Sequence, residues 1–355
     1  MDGTWRQALN WRGRQHFLTG PPAADVPTVV ERLIALPAWS GDVRTALGLR
    51  REPGSDDLDT ALAEHRVIVT YSFRGSTHVM HPRTAGAHLA IRGSGRQWEL
   101  ASWRTHYRLE AEDWPRLRAV VRDALSGGPK TRPELAAAVT AVRDFAHLEP
   151  AFLDKSQTFL KPFAWQGDMC FGPSRDGELT FQQLDGIPGW EGVPPLDDAG
   201  PTAVRAYLHA YGPTTTDRIR YWLGEGLSAG RKRLDGWIEH VRAETADLRV
   251  DGEDVLLLEA DVDDLRAAPD EDGVVLLPGL DPWVMGPGTA DEHVVPPAHR
   301  QVVTRGANLV VVGGRVAGTW KATKDADVEV EWFEADAGAP GAAVDAARER
   351  LRSAR

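Results

Sequence analysis

Apolar residues recur at the three-and-four spacing of amphipathic helices over 26–36, 40–49 and 58–65, then switch to strand-like runs over 66–71 and 77–80. These runs flank Arg74-Gly75-Ser76, so they predict a hairpin. The same order returns. Helical spacing from 113 through 135 to 142 and over 151–160 precedes strand-like runs near 165–171 and 178–184. A third copy has a helix at 220–223, a turn at Gly224-Glu225-Gly226, a helix over 228–243 and a hairpin over 248–258 with Asp251-Gly252 at its turn. Helix, turn, helix, hairpin is the order of a winged helix, whose second helix can enter the DNA major groove while the wing touches the backbone.

Two of the copies share a phrase. Gly128-Pro129-Lys130-Thr131 and Gly212-Pro213-Thr214-Thr215 each open an apolar helical stretch, and threonine there can accept a hydrogen bond from a first-turn amide. A spacing of about 80 residues per copy is too long for a solenoid, so the copies read as separate modules. From 273 onward the pattern changes to short β-rich runs at 274–277, 293–295, 308–312, 315–320 and 328–333, with Gly313-Gly314 as a tight turn. A Gly/Ala/Pro linker over 335–343 and a terminal helix follow. The predicted class is α+β: winged-helix modules at 1–112, 113–200 and 201–272, then a β-rich subdomain with a terminal helix at 273–355.

Composition narrows the chemistry. With 355 residues, 42% of them apolar, the chain can bury more than one core without staples. Cys170 is the only cysteine, which rules out an internal disulfide, a cysteine-based zinc site and a CxxC redox pair, and fits a reducing compartment. No run approaches the roughly 20 apolar residues of a membrane span, and the first 15 residues lack the apolar core of a signal peptide, so a cytoplasmic protein without membrane contact is expected. A net charge of -11 argues globally against a nucleic-acid partner, yet the charge is unevenly spread. Residues 66–132 hold twelve Lys or Arg against five acids, and 243–300 hold three against fifteen. Such polarity can turn a basic face to phosphate while an acidic lobe faces water.

Ser102, Ser156 and Ser174 lack a GxSxG elbow, and Gly93-Ser94-Gly95 is too short for a phosphate-cradling or dinucleotide loop, so no cofactor is implied. His78 and His81 lack the helical spacing and third ligand of a zinc site, so no metal is expected. Asp281 is the single carboxylate in an apolar segment, where Asp-Pro commonly caps a turn. Gln182 and Gln183 sit on a predicted strand and point to opposite faces. Arg74 lies at a wing tip, where a guanidinium could clamp phosphate. Trp222 and Trp237, at helical positions, read as core.

Several ordered segments carry a resemblance. These are Trp5-Arg6-Gln7-Ala8-Leu9-Asn10-Trp11-Arg12, Arg74-Gly75-Ser76-Thr77-His78, Leu160-Lys161-Pro162, Cys170-Phe171-Gly172-Pro173-Ser174, Tyr207-Leu208-His209-Ala210-Tyr211-Gly212-Pro213, Leu277-Pro278-Gly279-Leu280-Asp281-Pro282-Trp283 and Gly314-Arg315-Val316-Ala317-Gly318-Thr319-Trp320-Lys321. Together they resemble the winged-helix DNA-binding family of the AlkZ and YcaQ DNA glycosylases over nearly the whole chain. The resemblance implies a monomer acting on alkylated double-stranded DNA, and hydrolysis of the N-glycosidic bond of alkylated purines, in some members of bulky genotoxin adducts. Lys161 and Lys321 lie in its family-like motifs and, with Trp39, Arg74 and Arg315, are the candidate DNA contacts.

One departure stands out. The family places a Gln-aliphatic-Gln or Gln-aliphatic-Asp motif after its first long helix, where this chain has Ala35-Leu36-Pro37-Ala38-Trp39. Neither Pro37 nor Trp39 can act as a general base. Three readings follow. Asp42 or His78 holds the water in a rebuilt glycosylase; or the chain binds lesions without chemistry, with Trp39 stacking on a base or adduct; or it is a regulator or drug-sequestering protein of the same fold. The third is disfavoured by the absence of a visible dimerisation helix.

Overall fold

Helix starts are fixed by side chains that reach otherwise unpaired first-turn amides. Thr4 caps Trp5–Gln15, Asp25 caps Val26–Leu33, and Thr131 caps Arg132–Thr140 through a reciprocal box with Glu134. The computed structural model describes residues 2–224, 230–269, 273–324, 327–334 and 340–355. Their architecture is α+β, with tandem winged helices and a β-rich C-terminal part. The turn expected at Gly224-Glu225-Gly226, the first residues of the helix expected over 228–243, and much of the 335–343 linker lie outside the described residues. The helix that follows the turn is Arg231–Arg242.

The shared Gly-Pro-x-Thr phrase does two jobs, of which sequence reasoning found one. In the middle copy Lys130–Thr131 is a short strand paired with Glu178–Gln183, in the register Lys130 to Phe181 and Thr131 to Thr180, before Thr131 turns to capping. In the third copy Thr214 exchanges backbone hydrogen bonds with Leu256 at 3.0 and 2.8 Å, and Thr215 Oγ1 accepts from the Arg218 amide. The phrase therefore adds a short strand to the middle wing and a single bridge to the third.

The chain forms two compact units. One contains the described residues of 1–61, 203–225 and 231–355, and the other those of 62–202 and 226–230. The first unit holds an antiparallel four-stranded meander, Val274–Leu277, Asn308–Val312, Arg315–Ala322 and Val328–Trp332. Its core includes Leu276, Val310, Val316, Trp283 and Trp320, with the two indole N–H groups donating to Gly314 O and Leu277 O, both at 2.9 Å. The terminal helix Gly341–Ala354 buries Val344, Ala347 and Leu351. The third wing, Thr245–Val250 and Glu253–Leu258, turns at Asp251 (φ 46°) and Gly252 (φ 86°), the left-handed pair a type I′ turn requires. Asp2–Gly3 runs parallel to its outer strand, an addition too short to carry a sequence pattern.

In the second unit the wing strands Ile68–Tyr71 and Thr77–Met80 join Met169–Arg175, Glu178–Gln183 and Lys130–Thr131, because Val69 pairs with Phe171. Two wings thus form one continuous sheet. An aromatic core of Trp98, Trp114, Phe152, Phe159 and Phe163 lies among the helices. The helix Pro82–Gly93 was not expected; Gly86 within it is indispensable, since a Cβ would stand 2.1 Å from Gly192 O.

Three predicted elements are corrected. The helix over 26–36 ends at Leu33, and Ala35–Pro37 is a short strand. The strand expected from 165 begins at Met169, because Lys161–Trp165 is helical with Pro162 in the first turn, where its missing N–H costs nothing. Residues 293–295 form a turn rather than a strand. Asp291 directs it: its carboxylate accepts from the His293 amide and its carbonyl from the Val294 and Val295 amides, so both valines are buried without a ladder.

Candidate nucleic-acid interface

In the first unit the segment after Leu33 begins under backbone strain. Ile34 has φ 70° and is buried, a conformation that a β-branched residue adopts only when its surroundings impose it. Those surroundings include Tyr211, whose hydroxyl donates to Leu33 O at 3.3 Å. Three residues later Pro37 offers neither an N–H nor a polar side chain. Trp39 is 51% exposed, the most open tryptophan of the described residues after burial of the core ones. Gly41 lies against the turn before Asp281, since a Cβ there would stand 2.9 Å from Gly279 O.

Asp42 caps the helix Val43–Gly48. One carboxylate oxygen accepts from the Thr45 amide at 3.0 Å and the other from the Thr45 hydroxyl at 2.6 Å. Asp281 is also a cap, accepting from the Trp283 amide at 2.8 Å, and it takes two hydrogen bonds from Arg50 at 2.9 and 2.6 Å. Both side chains of that pair are fully buried. Arg315 and Lys321 are exposed on the C-terminal meander, with Lys321 opposite Glu329 in the strand register.

His209 lies in the Tyr207–Pro213 motif, where its residue type alone assigns it no role. Its Nδ1 lies 3.1 Å from the buried Asp261 carboxylate, and its Nε2 accepts from Arg32, near the end of the helix that leads into Ile34. This arginine–histidine–aspartate chain ties three distant stretches of sequence together, and no spacing along the chain announces it.

In the second unit, residues far apart in sequence converge on one turn. Ser72–Ser76 closes the first wing, with Arg74 at φ 54° and Gly75 at φ 71°. Arg74 is exposed at its tip. His78 Nδ1 is 3.0 Å from Ser72 Oγ, and the ring meets Phe73 edge-on at 5.5 Å. Burial, aided by Arg74, pushes the His78 pKa down to about 4, so the ring is neutral near pH 7. Lys161 reaches the same turn: a Cβ on Gly75 would stand 3.7 Å from its Nζ and 3.4 Å from Arg92 Nη2. Arg74, His78 and Lys161 are thus gathered as sequence-predicted candidates, and Arg92 joins them as one that was missed.

Other candidates have structural work. Gln183 donates to Arg122 O at 2.6 Å and Gln182 to Phe171 O at 3.4 Å. The buried Cys170 thiol is pushed up to about 12, which leaves it inert at neutral pH. Among the described residues no group of three or more His, Cys, Asp or Glu side chains is arranged to hold a metal ion, and no helix is long and apolar enough to cross a membrane.

Winged helices carrying a basic turn in one unit and an exposed tryptophan near a helix-capping carboxylate in the other define a class. The family of AlkZ-like DNA glycosylases matches residues 30–354, and the chain belongs to it. Among its relatives is the interstrand DNA cross-link repair glycosylase of Streptomyces sahachiroi, 32% identical over 333 residues that cover 90% of this chain and 88% of the relative. The structure of the Streptomyces sahachiroi DNA glycosylase AlkZ matches with a TM-score of 0.91 at 29% identity, over 100% of this chain and 97% of that one.

Proposed function

We propose that this chain is a monofunctional DNA glycosylase that hydrolyses the N-glycosidic bond of alkylated purines in double-stranded DNA, including bulky N7-guanine adducts, and that it serves self-resistance to a DNA-alkylating compound. The observation that carries the reading is its near-full-length similarity to a glycosylase named for interstrand cross-link repair. A purine alkylated at N7 is already cationic and leaves without a general acid. The protein must stabilise an oxocarbenium-like sugar and position a water.

Pro37 and Trp39 cannot accept a proton from that water, so the task passes to Asp42, the nearest carboxylate on the same segment. A carboxylate has about four lone-pair sites, and Thr45 uses two of them. His78, neutral and able to accept a proton, is the second candidate. Trp39 stacks on the base or its adduct, and Arg74, Lys161, Arg315 and Lys321 meet phosphates. The protein acts as a cytoplasmic monomer with no cofactor or metal. The division into modules at 1–112, 113–200, 201–272 and 273–355 belongs to the same reading.

A second reading, a lesion-binding protein without chemistry, is favoured by one feature: the family's two polar positions are a pyrrolidine ring and an exposed indole. Incubation with duplexes carrying 7-methylguanine or a bulky N7-guanine adduct separates the two. Abasic sites above the spontaneous depurination rate are the expected result. Saturable binding without product would establish the lesion-binding protein instead.

A further inference from the structure

We infer that Lys161 and Arg92, closing from two helices on the Arg74-Gly75 turn, form a clamp for a single phosphodiester of the DNA backbone. The inference rests on the DNA-directed reading above. It adds a residue, Arg92, and a geometry that the reading does not contain.

Both cationic heads approach one side of Gly75, the side a Cβ would occupy. Its φ of 71° is unfavourable for other residues, and a Cβ placed there would be in contact with both heads, 3.4 Å from Arg92 Nη2 and 3.7 Å from Lys161 Nζ. Each cation is held by an aromatic face. The Arg92 guanidinium lies 4.5 Å from the centre of the Trp165 ring, and the Lys161 ammonium 5.8 Å from that of Tyr71. Cation–π contact positions a charge without cancelling it, as a carboxylate would. Two like charges are therefore kept together and half-buried.

The cost is visible in their acidity. Burial lowers the pKa of both, and the Arg92 charge lowers that of Lys161 further. An anion between the two heads relieves both penalties, and the shared approach to one glycine suits one phosphate rather than two. Arg74, exposed at the tip of the same turn, adds to the positive potential. The surrounding stretch of sequence, 66–132, carries the chain's basic excess.

The test is the salt dependence of binding to undamaged duplex DNA, read by fluorescence anisotropy between 50 and 200 mM KCl as about the useful range. Lys161→Gln and Arg92→Gln should each weaken binding equally across sequences and lower the slope of log K against log[salt] by up to about one. Lys161→Arg should keep the wild-type slope. The double Gln variant should lose no more than about one in slope, because one phosphate is shared. A double variant that loses about two means separate phosphates and overturns the clamp. An unchanged slope in the double Gln variant, with a wild-type melting temperature, overturns it as well.

Base release by the wild-type protein, measured in parallel, keeps the two claims apart. Reduced slopes without base release leave the clamp standing and remove the glycosylase reading. Base release with unchanged slopes does the reverse. A wild-type protein that does not bind duplex DNA at all removes both.

Discussion

The segment 34–42 in one unit and the turn 72–78 in the other make opposite use of strain. Both contain non-glycine residues in the left-handed region, Ile34 and Arg74. Around Ile34 the strained backbone is buried among apolar side chains and leads to a proline, an exposed indole and a carboxylate occupied in capping. Around Arg74 it projects a charge and leaves room beside Gly75 for two more. A phosphate contact needs only a cation within reach, so the second region can be read from charge alone. Water positioning needs a polar atom at one place, so the first region cannot be assigned from residue types once the family's motif is gone.

The frame behind the first segment should show the largest effect. Asp281→Ala leaves Arg50 charged and buried without its carboxylate and removes the cap at Trp283, so unfolding in urea should occur with about 3–5 kcal/mol less stability. A loss below about 1 kcal/mol would mean that this pair does not brace the turn against which Gly41 rests. The next effect is on rate. Asp42→Asn keeps an oxygen for the Thr45 amide, because asparagine caps as well as aspartate, so the melting temperature should hold. Base release should fall by about 10² or more if the carboxylate orients the water. Equal turnover by the two proteins transfers that role to His78, for which His78→Ala is the corresponding test.

Trp39→Ala sharpens the contrast between the regions at a smaller scale. Losing one stacking partner should weaken binding to adducted duplex by about 1–3 kcal/mol. Binding to undamaged duplex, and its salt slope, should be unchanged, since an indole releases no counterions. Variants at Lys161 should behave in the opposite way. If Trp39→Ala weakens both duplexes alike, the indole is part of the general DNA surface and the two regions are not separate in function.

The sequence showed the periodic parts of the fold. The hairpins at Asp251-Gly252 and Gly313-Gly314, the caps at Thr131 and Thr215, and the three wings were legible because local chemistry dictates them. The strand Ala35–Pro37 was hidden because Val26–Leu36 reads as one apolar helix, and only the strain at Ile34 separates the two. The helix Pro82–Gly93 was missed because it is surrounded on several sides and so shows little amphipathic pattern. At the candidate site, Arg74, His78 and Lys161 were named from motifs, whereas Arg92 and the His209–Asp261 contact exist only through tertiary packing.

The smallest predicted effect concerns the histidines beside the basic turn. His78 and His88 flank the Phe73 ring, at 5.5 and 5.4 Å, and burial depresses the pKa of each from 6.5 to about 4. Between those values the unfolded chain binds protons that the folded chain refuses, so stability must rise with pH and fall as the solution is acidified from 6.5 towards 4. Each histidine contributes at most about 1.4 kcal/mol per pH unit in that window, less for His78, which is only partly buried. His78→Gln should therefore flatten the pH dependence of urea unfolding below 6.5 and leave it unchanged between 7 and 8, as read at about those buffers. An unaltered acid limb would mean that His78 already ionises freely in the folded protein, and its neutral ring could then no longer be the second candidate for holding the water.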